Sequence, residues 1–169
     1  MTTEEAIKTA IAFEAKVRDV YQSAVEGATN PVAKRIFRLL SYEEQKHLKF
    51  LQRKLDVWTK TGKITAEKLK TTIPSKEAIS EGINKLRVRM SDEDRGSEIQ
   101  MLTKALDAEI KTSTFYKKMV SELPPDGQRL FTRFVEIEDG HLAIVQAEID
   151  YLSKTGHWFD FREFDMEGG

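Results

Sequence analysis

The chain has 169 residues, with 27 Lys or Arg and 28 Asp or Glu, so its formal net charge at pH 7 is −1. Both signs are mixed along the chain, which argues against nucleic acid or an anionic membrane as a partner. The absence of Cys excludes disulfides and thiolate metal sites built by this chain. No apolar run is long enough to span a bilayer, and the first residues lack the features of a signal peptide. We therefore expect one cytoplasmic domain over residues 1–169.

Two long helices are predicted in the first half, because apolar residues recur there with the helical period. The first is expected over Thr3–Val25, after a capping box formed by Thr2 and Glu5. The pair Asn30–Pro31 is typical of a helix start and predicts the second helix, which is expected to end near Thr61–Gly62.

Residues 63–91 are predicted to cross over between the two halves. Within this segment we expect a short helical turn over Ala66–Lys70 and a helix from Pro74–Ser75 to about Val88. A crossover of this length could pack across both halves.

Two further long helices are predicted after the crossover. Ser91 and the three acidic residues that follow it indicate a helix start, since acids are favoured near the positive end of the helix dipole. Leu123–Asp126 separates this helix from the next, which is expected to end at Gly156. The aromatic-rich tail, 157–169, is expected to pack on the bundle or on a partner. Four long helices in two hairpins predict an all-α four-helix bundle.

The two halves, about 3–62 and 92–156, are an internal duplication. Each contains a Glu, a Tyr seven residues later, and a Glu-x-x-His pair about thirty residues after the first Glu. The helix-two and helix-four residues correspond at an offset of 94, and the others at 95. The repeated residues are Glu14, Tyr21, Glu44 and His47 in the first half, and Glu109, Tyr116, Glu138 and His141 in the second.

This polar set predicts a metal site. Residues three apart share a helix face, so each Glu-x-x-His pair points a carboxylate and an imidazole the same way. All four Glu fall within apolar stripes, where a carboxylate is unfavourable unless it is paired, neutralised or bound to metal. Few basic residues are expected to face inward, and Arg18 is the nearest candidate. Metal is the expected counter-charge, and this donor set suits iron, manganese or zinc.

One Glu from each of two helices, with Glu-x-x-His from each of the other two, is the di-iron or di-manganese pattern of ferritin-like bundles. Over nearly its whole length the chain resembles the rubrerythrin branch of that superfamily. The resemblance implies two iron ions, with manganese as the alternative, both bridged by Glu44 and Glu138. It implies that each remaining Glu shares one ion with the His of its own half. The implied ligands are Glu14, Glu44, His47, Glu109, Glu138 and His141.

Tyr21 and Tyr116 lie two helical turns beyond a ligand, on the same face. They are predicted to donate hydrogen bonds to ligand carboxylates and so to orient them. The alternative is that both are core aromatic residues.

The chain departs from the rubrerythrin pattern in two ways. Rubrerythrins proper add a rubredoxin-like domain whose Cys₄ iron passes electrons to the di-iron site. Because this chain has no Cys, the expected donor is a separate protein such as a rubredoxin or flavoprotein. Rubrerythrins also carry a further Glu three residues after the third-helix ligand, where this chain has Thr112. That difference bears on peroxidase activity more than on metal binding.

The leading functional hypothesis is reduction of hydrogen peroxide at a di-iron centre with electrons from an external donor. The alternatives are a ferroxidase or iron-handling protein and a di-iron oxygenase, because the same bundle hosts all three. A purely structural scaffold is disfavoured by the buried ligand set. A homodimer is expected because the aromatic tail and the crossover offer surfaces that one bundle leaves partly uncovered. Whether half-bundles exchange between chains stays open.

Overall fold

The computed structural model describes residues 1–65, 67–85 and 96–159. These residues form five helices: α1 (Thr3–Gly27), α2 (Pro31–Thr61), α3 (Lys76–Lys85), α4 (Gly96–Glu122) and α5 (Pro125–Thr155). The predicted all-α bundle of four long helices in two hairpins is confirmed. Among the described residues, no helix is both long enough and apolar enough to cross a membrane.

Local sequence sets the ends of the long helices. At the start of α1, the Thr2 hydroxyl accepts from the backbone N–H of Glu5, whose carboxylate accepts from the backbone N–H of Thr2. The Asn30 side chain caps α2. Helices α2 and α5 end at Gly62 and Gly156, whose φ angles of 66° and 72° lie in the left-handed region that favours glycine.

The two hairpins, α1–α2 and α4–α5, pack together with α1 against α4. Hydrogen bonds join the later part of each of these helices to the middle of the other, so α1 and α4 run antiparallel. Two apolar clusters fill the ends of the bundle, one around Phe37 and the other around Phe131. Along every long helix, the predicted ligands lie between the residues of the two clusters.

One prediction for the segment after α2, a short helical turn, is wrong. Residues 67–70 do not form the helical turn expected over Ala66–Lys70, and Ala66 lies outside the described residues. Bonds to α2 hold the segment in an irregular course: the Lys54 ammonium donates to the carbonyl oxygen of Thr65 at 2.9 Å, and the Glu43 carboxylate accepts from the backbone N–H of Thr72 at 3.0 Å. Tertiary hydrogen bonds therefore override local helix propensity here.

Helix α3 starts where the sequence predicts, after Ser75, whose hydroxyl accepts from the backbone N–H of Ala78 at 3.2 Å. It packs against α5. Its predicted end near Val88 and the predicted helix start at Ser91 lie outside the described residues.

The beginning of the tail packs on the bundle of its own chain. Trp158 and Phe159 are buried, and the Trp158 ring meets Phe37 edge-on at 5.3 Å between centroids. The Trp158 indole N–H donates to the Glu98 carboxylate at 3.0 Å. Residues 160–169 lie outside the described part of the tail.

Candidate metal centre

The structure brings all six predicted ligands together in the middle of the bundle. Every one of them has zero solvent exposure. Each long helix supplies one Glu, and α2 and α5 each add a His one turn further along. These residues are Glu14 on α1, Glu44 and His47 on α2, Glu109 on α4, and Glu138 and His141 on α5.

The six residues form two overlapping groups, each with ligand atoms that lie within 4.8 Å of one another. Glu44 and Glu138 belong to both groups, so their positions suit carboxylates that bridge two ions. The first group is Glu14, Glu44, His47 and Glu138, and the second is Glu44, Glu109, Glu138 and His141.

Unpaired polar atoms show that this pocket fits metal ions. One carboxylate oxygen each of Glu14, Glu44 and Glu109, and both oxygens of Glu138, are buried without a hydrogen-bond partner among the described residues. The two ring nitrogens of His47 also have no such partner. Orphaned buried atoms of this kind are costly, and oxygen and imidazole donors suit first-row divalent metals. Four carboxylates would also balance the charge of two divalent cations.

Arg18 does not supply the counter-charge that its position in α1 had suggested. Its guanidinium donates to Asp19 and to the side-chain oxygen of Gln45, at distances of 3.0–3.2 Å. These partners lie outside the six-residue set, so the geometry favours metal as the balancing charge.

The buried carboxylates of this site differ in the direction in which their pKa is shifted. Burial, then the neighbouring carboxylates, raise the pKa of Glu44 and of Glu138 well above the usual range. Burial would also raise the pKa of Glu109, but the adjacent Glu138, the nearby His141 and the hydrogen bond from Tyr21 outweigh it and lower the pKa to about 2. For His141, burial opposes the charged form, yet Glu109 and Glu44 raise its pKa to about 10. Without metal, bound protons therefore neutralise part of the negative charge that metal cations would otherwise balance.

Each tyrosine donates to a predicted ligand from the opposite half of the chain. The Tyr21 hydroxyl donates to Glu109 at 2.8 Å, and the Tyr116 hydroxyl donates to Glu14 at 2.5 Å. Burial and the adjacent carboxylates raise the pKa of both tyrosines, so both remain donors at neutral pH. Both rings also belong to the apolar clusters, so the two roles weighed from the sequence coexist.

Thr112 lies one turn after Glu109 and is fully buried. Its hydroxyl donates to the carbonyl oxygen of Ala108 at 2.9 Å, within its own helix. This position therefore supplies neither a charge nor a cross-bundle hydrogen bond to the centre.

A family model described as Rubrerythrin matches residues 5–149, which contain all six predicted ligands and most of both helical hairpins. The chain belongs to the rubrerythrin family. Membership identifies the bundle as a ferritin-like domain of the di-iron carboxylate type. Comparison with curated proteins and with solved structures gives no match.

This rubrerythrin-family chain has one buried acid beside its centre that the sequence did not single out. Glu43 has zero solvent exposure and directly precedes the predicted ligand Glu44. Burial alone would raise the pKa of Glu43, but hydrogen bonds from Thr72 and Lys46 outweigh it and lower the pKa to about 2. The one sequence signal is its position four residues before His47, one turn away on the same helix. Its main partner, Thr72, lies in a segment whose course the sequence did not reveal.

Metal binding to this rubrerythrin-family centre is expected to release protons, because the pKa of Glu44, of Glu138 and of His141 is raised in the metal-free protein. Each of the three binds metal in its deprotonated form, so a raised pKa makes protons compete with the metal. Affinity should therefore increase with pH. Calorimetric titration of metal-free protein with Zn²⁺, in buffers of different ionisation enthalpy, measures the release. A release near zero would show that these groups are already deprotonated.

Proposed function

We propose that the chain is a non-haem di-iron protein that reduces hydrogen peroxide with electrons from a separate donor. The observation that carries this proposal is the buried set of four carboxylates and two imidazoles, arranged so that two carboxylates are shared. When bound, two ferrous ions supply one electron each, which converts hydrogen peroxide and two protons into two molecules of water. The donor class is a one-electron carrier protein, such as a rubredoxin or a flavoprotein, that returns both electrons.

The chain's own residues hold, orient and isolate this centre. Glu44 and Glu138 would hold both ions, since each belongs to both ligand groups, and the hydroxyls of Tyr21 and Tyr116 orient the carboxylates of Glu109 and Glu14. Apolar clusters on both sides exclude bulk water, which strengthens electrostatic interactions inside the site.

Thr112 favours ferroxidase activity as the second candidate. A six-ligand centre without a seventh carboxylate is the pattern of ferritins and bacterioferritins, and the Thr112 hydroxyl is bonded within its own helix. In that role the same centre would oxidise Fe²⁺ with oxygen or peroxide.

Iron reconstitution followed by rapid mixing tests both candidates. We expect about two irons per chain, about 3.5–4 Å apart by X-ray absorption, which is the usual spacing of two-metal sites. Anaerobically reduced protein should be oxidised faster by hydrogen peroxide than by oxygen in stopped-flow measurements. Rapid oxidation in air with no response to peroxide would favour the ferroxidase or oxygenase function. Absence of bound iron, manganese and zinc would refute the metal centre itself.

We also propose a homodimer as the working assembly. Tyr42 and Ile110 are large apolar side chains that remain 63% and 48% exposed on the described surface. Light scattering that gives the mass of one chain, 19.4 kDa, over a wide concentration range would reject the dimer.

A further inference from the structure

Glu43 is buried against the histidine side of the centre, although it is outside the set of six ligands. We propose that Glu43 is a positioning residue shared by both histidine ligands, His47 and His141, and that the crossover segment fixes it in place. This inference rests on the proposed metal centre. It adds a function for a residue that belongs to neither of the two ligand groups.

The His47 ring points its two nitrogens at different acids. Its Nδ1 atom lies 3.4 Å from both Glu14 and Glu44, which marks this edge as the metal-facing one. Its Nε2 atom lies 3.8 Å from an oxygen of Glu43. A carboxylate near Nε2 stabilises the tautomer with its proton on Nε2, and that tautomer leaves the Nδ1 lone pair free for a metal.

His141 presents its nitrogens in a similar way. Its Nδ1 atom lies 3.0 Å from Glu44 and 3.4 Å from Glu109, and its Nε2 atom has no hydrogen-bond partner among the described residues. The rings of His47 and His141 stack at 5.2 Å between centroids. A Glu43 oxygen and one nitrogen from each ring lie within 4.8 Å of one another.

The duplication supplies only one such acid for two rings. The position in α5 that corresponds to Glu43 holds Ile137, which is buried and apolar. A metal-binding His usually has its second nitrogen oriented by a carboxylate or a carbonyl. Because the second half brings no carboxylate at this position, the single acid from the first half is placed to serve both imidazoles.

Hydrogen bonds hold the Glu43 carboxylate from several directions. One oxygen accepts from the backbone N–H of Thr72 at 3.0 Å and from the Thr72 hydroxyl, and the other accepts from the Thr71 hydroxyl at 2.9 Å. The Lys46 ammonium lies 2.9 Å away. These bonds restrict the carboxylate to one orientation, as a positioning role requires.

The same segment also packs against the helix that carries His141. A Cβ atom added at Gly140 would lie 2.8 Å from the carbonyl oxygen of Pro74, so only a glycine permits this close approach without a shift of the backbone. The crossover thus contacts both histidine-bearing helices, and it connects the orientation of Glu43 to the docking of the two halves.

Glu43→Gln tests the assignment because it keeps the shape and one acceptor oxygen but removes the charge. The matched control is Glu122→Gln, the same change at an exposed residue at the end of α4. Metal affinity is measured by titrating metal-free protein with Zn²⁺. Long-range ¹H–¹⁵N NMR of the Zn²⁺-loaded protein, labelled at histidine, reports the tautomer of each ring. The chain has only three His, so His157 serves as an internal reference.

We expect Glu43→Gln to weaken Zn²⁺ binding about 10–100-fold. The Nε2 signals of both His47 and His141 should shift, while His157 and the Glu122→Gln protein stay unchanged. A change at His47 alone would overturn the shared role. Unchanged affinity and unchanged ring signals, even with a lower thermal stability, would show that Glu43 only anchors the crossover.

Thr72→Val provides a second variant that keeps the carboxylate but removes a hydroxyl that holds it. If Glu43→Gln does not fold, Thr72→Val decides: weaker Zn²⁺ binding with shifted signals from both rings supports the proposal, and wild-type behaviour overturns it. A wild-type protein that binds no Zn²⁺, Fe²⁺ or Mn²⁺ would instead refute the proposed metal centre.

Discussion

Glu44→Ala is expected to lower the iron content of reconstituted protein from about two ions per chain to fewer than one, because a bridging carboxylate contacts both ions of a two-metal site. Glu44 belongs to both ligand groups, so its loss removes a donor from each ion at once. Metal analysis after reconstitution and desalting measures the result. Glu138, which also belongs to both groups, should give a loss of similar size when replaced by Ala.

Tyr21→Phe is the matched comparison, because it removes one hydroxyl that donates to Glu109 and leaves all six ligands in place. Loss of such a supporting bond typically weakens affinity or activity about 10–100-fold, which still permits full loading at high iron concentration.

Metal-free Glu44→Ala should also unfold at a higher urea concentration than metal-free wild type, because a buried acid with a strongly raised pKa has been removed. Wild-type iron content in Glu44→Ala would show that Glu44 is not a bridge.

Phe134→Ala is expected to lower the free energy of unfolding by about 3–5 kcal/mol, the usual range for truncating a buried Phe. The ring is fully buried and lies 5.1 Å from Tyr116 and 5.8 Å from His47, measured between centroids. Removing it leaves a cavity beside both a ligand and a hydrogen-bond donor, so metal affinity should fall as well. Urea unfolding of the metal-free protein measures the first effect, and Zn²⁺ titration measures the second.

Glu122→Ala is the control for this substitution, because it truncates a side chain at an exposed position at the end of α4. Surface changes of this kind usually alter stability by less than about 0.5 kcal/mol. A loss below about 1 kcal/mol in Phe134→Ala would mean that the bundle repacks around the site.

The helical architecture could be predicted from the sequence because its signals are local and mutually consistent. The Thr2–Glu5 capping box and the Asn30 cap form the bonds that their positions predict. Gly62 and Gly156 end their helices with positive φ. Each signal depends on a few neighbouring residues, which a single sequence displays directly.

The six polar residues could be singled out because a carboxylate is unfavourable in an apolar stripe unless something balances it. The structure places all six at one level of the bundle. Glu43 could not be predicted in this way, because its partners are brought to it by tertiary contacts and not by a local pattern. Its partners are Thr71 and Thr72, in a segment whose irregular course depends on contacts with α2. Local propensity indicated a helical turn just before it, and the packing of the crossover on the bundle overrode that propensity.

The shared carboxylates mean that neither hairpin carries a complete cation site. One group takes three ligands from the first half and Glu138 from the second, and the other takes Glu44 from the first half and three from the second. A bound ion would thus form a non-covalent cross-link between segments 94 residues apart in sequence, as a disulfide does when it closes a long loop. Loading should make the two hairpins unfold as one unit, with metal release and loss of helix in a single transition.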